Sequence, residues 1–173
     1  MRALFSLAGM ALLSGPALAD SMEIEIGIPQ LNVAEYHRPY IAAWIARPDH
    51  TVAANLAVWY QQEKRGADEG ETWLKDLRQW WRRAGRDLQM PVDGVSGPTQ
   101  APGLQTLRIP GDSLAIQALT PGDYVLTVEA VREVGGREMV QIPFHWPSDG
   151  QADLTVSGET ELGTVALKLI PEN

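Results

Sequence analysis

Cysteine is absent from the 173 residues of the chain. Thiolate catalysis, cysteine metal ligation and attachment of a c-type haem through CxxCH are thereby excluded, and packing rather than disulfides must hold the fold. Long apolar runs are missing as well. The longest, Ala3 to Leu13, is shorter than the ~20 residues that span a hydrocarbon core. Positive charge is scarce: 14 Lys and Arg stand against 22 Asp and Glu, a net charge of −8 with a pI near 4.8. Nonspecific nucleic-acid binding needs a positive footprint from which counterions are released. The basic residues form only one local cluster, Lys75, Arg78, Arg82, Arg83 and Arg86, so no nucleic-acid partner is expected. Histidine is limited to His37, His50 and His145. None is spaced as HxH, HxxxH or HExxH, which leaves a catalytic zinc site without a motif; only a meeting of His37 and His145 at one end of a sheet would make a metal module.

The N-terminus reads as a targeting segment. Arg2 supplies the positive region, Ala3 to Leu13 the apolar region, and Ala17-Leu18-Ala19 the small-x-small pattern ahead of Asp20, the three parts of a secretory signal peptide. Residues 1–19 are expected to be cleaved and 20–173 to form a single domain, exported to the periplasm. No cysteine follows the cleavage pattern to accept lipid.

The mature segment is patterned for strands. Met22, Ile24, Ile26 and Ile28 alternate with Glu23, Glu25 and Gly27, the period of two of a strand with one buried face. In "RPYIAAWIARPDH", Tyr40, Ala42 and Trp44 oppose Ile41, Ala43 and Ile45. "VAANLAVWYQQ" follows the Pro48 to Thr51 turn, with Leu56 and Val58 opposed to Ala57 and Trp59, and the two segments suit a hairpin. Further strands are expected around Leu104 to Arg108, in "DYVLTVEAV" with Tyr124, Leu126, Val128 and Ala130 on one face, in "REMVQIPFHW" after Gly135-Gly136, and in "ADLTV" and "LGTVALKLI". One stretch has a helical period: Trp73, Leu74, Leu77, Trp80, Trp81 and Ala84 recur every three or four residues, starting at Glu71 or Thr72 and capped by Gly85. Seven to nine short strands with Pro/Gly turns and one helix predict a mainly β fold, an antiparallel immunoglobulin-like β-sandwich with one amphipathic helix.

Chemistry is sparse in this pattern. Glu129 falls opposite Tyr124, Leu126 and Val128, on a face read as solvated, where Arg132 offers a charge partner; no second carboxylate is marked for glycosidase chemistry. Gly94-Val95-Ser96-Gly97 lacks the last glycine of GxSxG and does not join a strand to a helix, so a hydrolase nucleophile is not indicated. No catalytic residue is assigned. Among the six tryptophans, Trp44 and Trp59 read as core. The adjacent Trp80 and Trp81 allow one ring to be buried while the other faces a groove, where Arg78 or Arg82 would favour a planar or anionic ligand.

The ordered combination of "RPYIAAWIARPDH", "NLAVWY", "WLKDLRQWWRR", "VDGVSGPTQAPG" and "PGDYVLTVEAVREVGG" resembles the DUF2271 family of predicted periplasmic proteins over roughly His37 to Phe144. That resemblance implies an exported β-sandwich with an immunoglobulin-like Pro-Gly-Asp-Tyr strand entrance and no settled catalytic activity. It also implies a setting beside PepSY-type membrane proteins and flavin transferases. Asp93 to Thr99 further resembles the acceptor motif for covalent FMN transfer, Asp-x-x-Ser/Thr-Gly-Ala-Thr/Ser. By that resemblance Thr99 is the acceptor: its hydroxyl attacks the FMN-proximal phosphorus of FAD, a phosphoester forms, and AMP leaves. Asp93 matches the motif acid, Ser96 the first hydroxyl position and Gly97 the close-approach glycine, with Trp80 or Trp81 as cover for the ring. Pro98 stands where the motif has alanine. The reading is a periplasmic redox accessory protein bearing FMN at Thr99 for electron transfer. Its alternatives are a noncatalytic immunoglobulin-like binding or assembly module for an envelope partner, and a metal-binding module.

Overall fold

The computed structural model describes residues 20–62 and 70–171. The expected signal peptide, residues 1–19, lies outside the described residues. The fold is mainly β, with two sheets and short helices. In chain order the strands are β1 (Ser21–Ile28), β2 (Tyr40–Ala46), β3 (Val52–Tyr60), β4 (Ser96–Pro98), β5 (Gly103–Ile109), β6 (Gly122–Val131), β7 (Arg137–Trp146), β8 (Ala152–Ser157) and β9 (Thr164–Ile170). One sheet has the order β5-β1-β9-β8 and the other β4-β3-β2-β6-β7. All neighbours are antiparallel except β3 and β4, which run parallel.

The alternation in β1 is realised residue by residue. Met22, Ile24, Ile26 and Ile28 are buried, each such side chain contributing roughly 1.5–3 kcal/mol. Glu23 and Glu25 point the other way, where Lys168 Nζ on β9 reaches both carboxylates at 3.0 and 2.9 Å. The inward residues of β1 and β9 join Ile41, Ala43 and Ile45 of β2 and Tyr124, Leu126, Val128 and Ala130 of β6 in one apolar cluster shared by both sheets. Trp44 and Trp59 are buried, as expected.

The β2–β3 hairpin closes through Arg47 N–H to Thr51 O at 2.9 Å, with the Asp49 carboxylate accepting from Thr51 N at 2.9 Å and Oγ1 at 2.7 Å. The facing expected for β3 needs one correction. The register runs Ala43 to Ala57 and then Trp44 to Asn55, leaving Leu56 as an extra residue. This bulge turns Leu56 and Ala57 alike into the shared cluster while Val58 faces away, so Leu56 and Val58 do not share a face.

The outer face of the five-stranded sheet is covered over β2 and β3, while the outward residues of β7 are exposed. Leu74, Leu77 and Trp80 pack with Ala42, Trp44, Ala46, Val58 and Tyr60 in a second apolar cluster. The single amphipathic helix expected across this stretch is not formed. A 3-10 turn spans Glu71–Asp76, Leu77 breaks it at ψ 69°, and the α-helix α1 (Arg78–Arg83) precedes a second 3-10 turn at Gly85–Asp87. Gly85 therefore opens a turn instead of capping a helix.

The break has a physical cause in the sheet beneath. Glu129 on β6 is fully buried, and its carboxylate accepts from Trp80 N at 2.9 Å and Gln79 N at 3.1 Å. The first free amides of α1 are thus held by a charged acceptor, a favourable arrangement at a helix start. Leu74, Leu77 and Trp80 keep the expected apolar face, but Trp73, expected on it, is 53% exposed, and the backbone restarts where the carboxylate sits. Glu129 is accordingly not on a solvated face, and its ion-pair partner is Arg137 at 2.9 Å rather than Arg132. A second short helix, α2 (Leu114–Gln117), is capped by Ser113. Among the described residues no helix is long and apolar enough to cross a membrane.

Candidate functional site

The segment Asp93 to Thr99 lies along the edge of the five-stranded sheet. Val92 O accepts from Ser96 N at 2.9 Å and Ser96 Oγ accepts from Val92 N at 2.9 Å, which ties the turn ahead of β4. Within β4, Gly97 pairs with Trp59, and a Cβ at Gly97 would lie 3.1 Å from the Trp59 ring. The close-approach glycine thus has a local packing cause. Pro98 ends the three-residue edge strand. An edge position tolerates the missing N–H of proline and prevents another strand from adding there, so the proline fits this fold where alanine is the motif residue.

The segment is shared between two hollows. Asp93, Gly94 and Ser96 line a smaller one of about 520 Å³ with Tyr60 and Glu71. Thr99, half-buried and without a side-chain hydrogen bond to any described residue, lines a cleft of about 710 Å³. That volume falls within the ~300–1,000 Å³ range of small-molecule sites. Tyr36, Tyr40 and Trp73 supply its aromatic walls, and Arg38, Arg132 and Glu133 its charges. The cleft aromatic is Trp73, whose side chain is 53% exposed. Trp80, by contrast, is wholly buried, its Nε1 donating to Asn55 Oδ1 at 2.9 Å. Trp81 packs half-buried against the same cluster. Neither is among the residues lining the cleft with Thr99.

One corner of the cleft is built by the β6–β7 turn. Arg132 and Glu161, both buried, form a two-point ion pair, Nε to Oε2 at 2.8 Å and Nη2 to Oε1 at 3.1 Å. Gly136 N donates to the same carboxylate at 2.7 Å. The Gly135-Gly136 pair is required by this ion pair as much as by the turn. A Cβ at Gly135 would lie 2.5 Å from Arg132 Cζ, and one at Gly136 2.9 Å from Glu161 Oε1. Val134 between them and Arg132 adopts φ 52° and is 78% exposed, an uncommon conformation for a β-branched residue.

Two polar atoms at this corner have no hydrogen-bond partner among the described residues: Arg132 Nη1 and the Tyr36 hydroxyl, both buried. Burial raises the Tyr36 hydroxyl above its ordinary value of 10.0; Arg132 opposes that rise, Glu161 adds to it and Arg38 opposes it. Tyr36 is therefore a protonated donor at neutral pH. Tyr40, whose hydroxyl donates to Gly70 O at 3.2 Å, is likewise raised, chiefly by burial.

The histidines do not meet. His37 lies beside Glu35 at 3.0 Å and Glu133 at 3.5 Å, at the Val131 end of β6. His145 pairs with Asp123 at 2.8 Å at the other end. Asp123 and Val131 are separated by eight strand steps, about 26 Å at ~3.3 Å per residue. Among the described residues no three His, Asp or Glu side chains are grouped to hold a metal ion.

The chain is thus a two-sheet β fold with a partly covered outer face and a cleft at one end of the larger sheet. It belongs to the DUF2271 family, described as a predicted periplasmic protein, whose model matches residues 21–164. No curated protein and no solved structure matches it significantly.

Proposed function

We propose that the chain is a periplasmic redox accessory protein carrying covalent FMN at Thr99. The observation that supports this reading most is the position of Thr99: the last residue of the acceptor-like segment lines a cleft with an exposed indole and two phenols. A flavin bound there supplies the electron chemistry. The chain's own residues tether it, cover it and limit water. Trp73 takes the covering role first considered for Trp80 and Trp81, which instead hold the outer layer on the sheet. A flavin transferase and a PepSY-type membrane protein are the proposed partners.

The test is intact mass. Mature protein produced with FAD and the transferase should gain the mass of an FMN phosphoester, and Thr99→Ala should abolish the gain. No adduct under conditions that modify a control acceptor protein overturns the reading.

A second reading, a noncatalytic binding or assembly module, is favoured by the fold itself. We read the two sheets as an immunoglobulin-like sandwich because Tyr124, at the start of β6, makes a tyrosine corner. Its hydroxyl donates to Thr120 O at 2.8 Å and accepts from Thr120 N at 3.0 Å. Failure to detect flavin on Thr99 leaves this module as the function to pursue.

A further inference from the structure

Positive charge is scarce in this chain, and outside one segment it is largely paired. Of the described basic residues beyond 71–87, Arg108, Arg132, Arg137 and Lys168 each contact a carboxylate, and Arg38 and Arg47 do not. The segment 71–87, which covers the five-stranded sheet, differs. Lys75, Arg78, Arg82 and Arg83 form no ion pair with any described residue, and Arg86 reaches only Asp87, at 3.7 Å with both side chains exposed.

The fold turns these cations outward as a set. Leu74, Leu77 and Trp80 are buried against the sheet. Arg78 and Arg82, four residues apart on the side of the helix away from Trp80, therefore share its outward face. Lys75, Arg78, Arg82 and Arg86 are all exposed. The segment's acids stand elsewhere: Asp76 lines the Thr99 cleft and Glu71 the smaller hollow. Like charges at this helical spacing repel, and the Glu129 carboxylate under Gln79 and Trp80 holds the strip in place on the sheet. At one end stands Trp73, 53% exposed, with Lys75 Nζ 5.7 Å from its ring centroid.

We infer that this strip docks the protein on a membrane surface bearing anionic phospholipid headgroups. Three features select that partner. Guanidinium groups match phosphate oxygens two at a time, and Lys75 is the only lysine among the strip's cations. An indole beside an ammonium suits the headgroup zone, where aromatic and cationic side chains both concentrate. A protein partner would ask for an apolar centre, whereas Leu74, Leu77 and Trp80 are already buried on the sheet. The chain as a whole carries −8 and is repelled by an anionic surface, so the strip also sets the orientation of docking. Trp73 lines the Thr99 cleft as well, and docking brings that cleft beside the headgroups. The inference does not rest on the flavin reading.

The test is flotation of the mature protein with vesicles of phosphatidylcholine and phosphatidylglycerol, against phosphatidylcholine alone. Binding is expected only to the anionic vesicles, falling as salt rises from ~50 to ~300 mM. A cation at such a surface strengthens binding about fivefold, so Arg78→Gln with Arg82→Gln should bind about 25-fold more weakly. Arg108→Gln with Lys168→Gln removes the same charge from the outer face of the other sheet and should stay within about twofold of the parent. Should the first pair lose the parent's urea midpoint, Lys75→Gln replaces it, with an expected loss of about fivefold. No binding to anionic vesicles at low salt, equal binding to both lipids, or equal weakening by the two double variants overturns the proposal. So does low-salt self-association that the strip variant abolishes without any vesicle binding, because the strip is then a contact between copies. Displacement by inorganic phosphate at constant ionic strength overturns it too, since that makes the strip a small-anion site.

Discussion

Replacing Glu129 by alanine tests what holds the outer layer on the sheet. The carboxylate is fully buried and accepts from two backbone amides of the 78–83 helix and from Arg137. Charge-assisted hydrogen bonds are worth about 1.5–3 kcal/mol each, and breaking a buried ion pair costs about 3–5 kcal/mol. The second figure must be discounted here, because the Arg137 side chain is 38% exposed and water can take over its charge. A loss of about 3 kcal/mol is expected for Glu129→Ala, equivalent to a fall in Tm of roughly 6–12 °C for a domain of this size. Glu129→Gln keeps one carbonyl acceptor and should lose about 1–2 kcal/mol. Arg137→Ala should lose about 1 kcal/mol or less. Urea unfolding with a shared slope gives the three values, and amide exchange should accelerate first at Gln79 and Trp80. A Glu129→Ala midpoint indistinguishable from the parent refutes the reasoning. A loss in Arg137→Ala as large as in Glu129→Ala would show that the ion pair, not the helix amides, is what the carboxylate serves.

Two further outcomes follow from the end of the molecule near the cleft. Burial by itself would raise the Glu138 carboxyl, but backbone N–H donors from Glu159, Leu162, Thr160 and Glu161 outweigh it and hold the group below its ordinary 4.5. A depressed folded value means stabilisation present above pH 4.5 and lost as pH falls through that lower value. The stability gap between the parent and Glu138→Gln should be about 1–2 kcal/mol at pH 7 and close toward pH 3; a gap constant across that range contradicts the assignment. Gly135→Ala places a Cβ 2.5 Å from Arg132 Cζ and should cost about 1–3 kcal/mol by overpacking, read as a shifted urea midpoint. A neutral Gly135→Ala would mean that the Arg132–Glu161 pair has room to move.

Much of the fold was legible because strand periodicity reports burial directly. The inward faces of β1, β2 and β6 follow from their alternation, since each packs on one shared cluster. The period does not report what covers the opposite face. Glu129 alternates with apolar residues as a solvated position does, yet it is buried because the segment carrying Gln79 and Trp80, distant in sequence from β6, lies over it. The same long-range contact divides the expected helix: spacing placed Leu74, Leu77 and Trp80 on one face, but only the position of Glu129 under Gln79 and Trp80 shows where the backbone restarts. The Leu56 bulge was hidden for a related reason, because an extra residue is defined only against its partner strand.

The candidate site was legible at one residue and hidden at the others, and the difference is one of distance along the chain. Thr99 belongs to a contiguous segment whose residue types carry the resemblance. The remaining walls come from the approach to β2, the 71–76 turn and the β6–β7 hairpin, and no spacing rule links Tyr36, Trp73 and Arg132. Spacing put Trp73 on the apolar face with Leu74 and Leu77, and only the folded backbone frees it. A 3-10 turn advances ~120° per residue rather than ~100°, and within it Leu74 is buried while Trp73 is exposed. Arg132 carried the opposite signal: placed beside a glycine pair on a strand end it resembles any surface arginine, and only the folded chain brings Glu161 to it from the β8–β9 connection. That pairing uses two of its donor directions and leaves the third buried without a described partner. Tyr36 and Arg132 are thus brought to one cleft only by the folded chain, and no local pattern marks either of them.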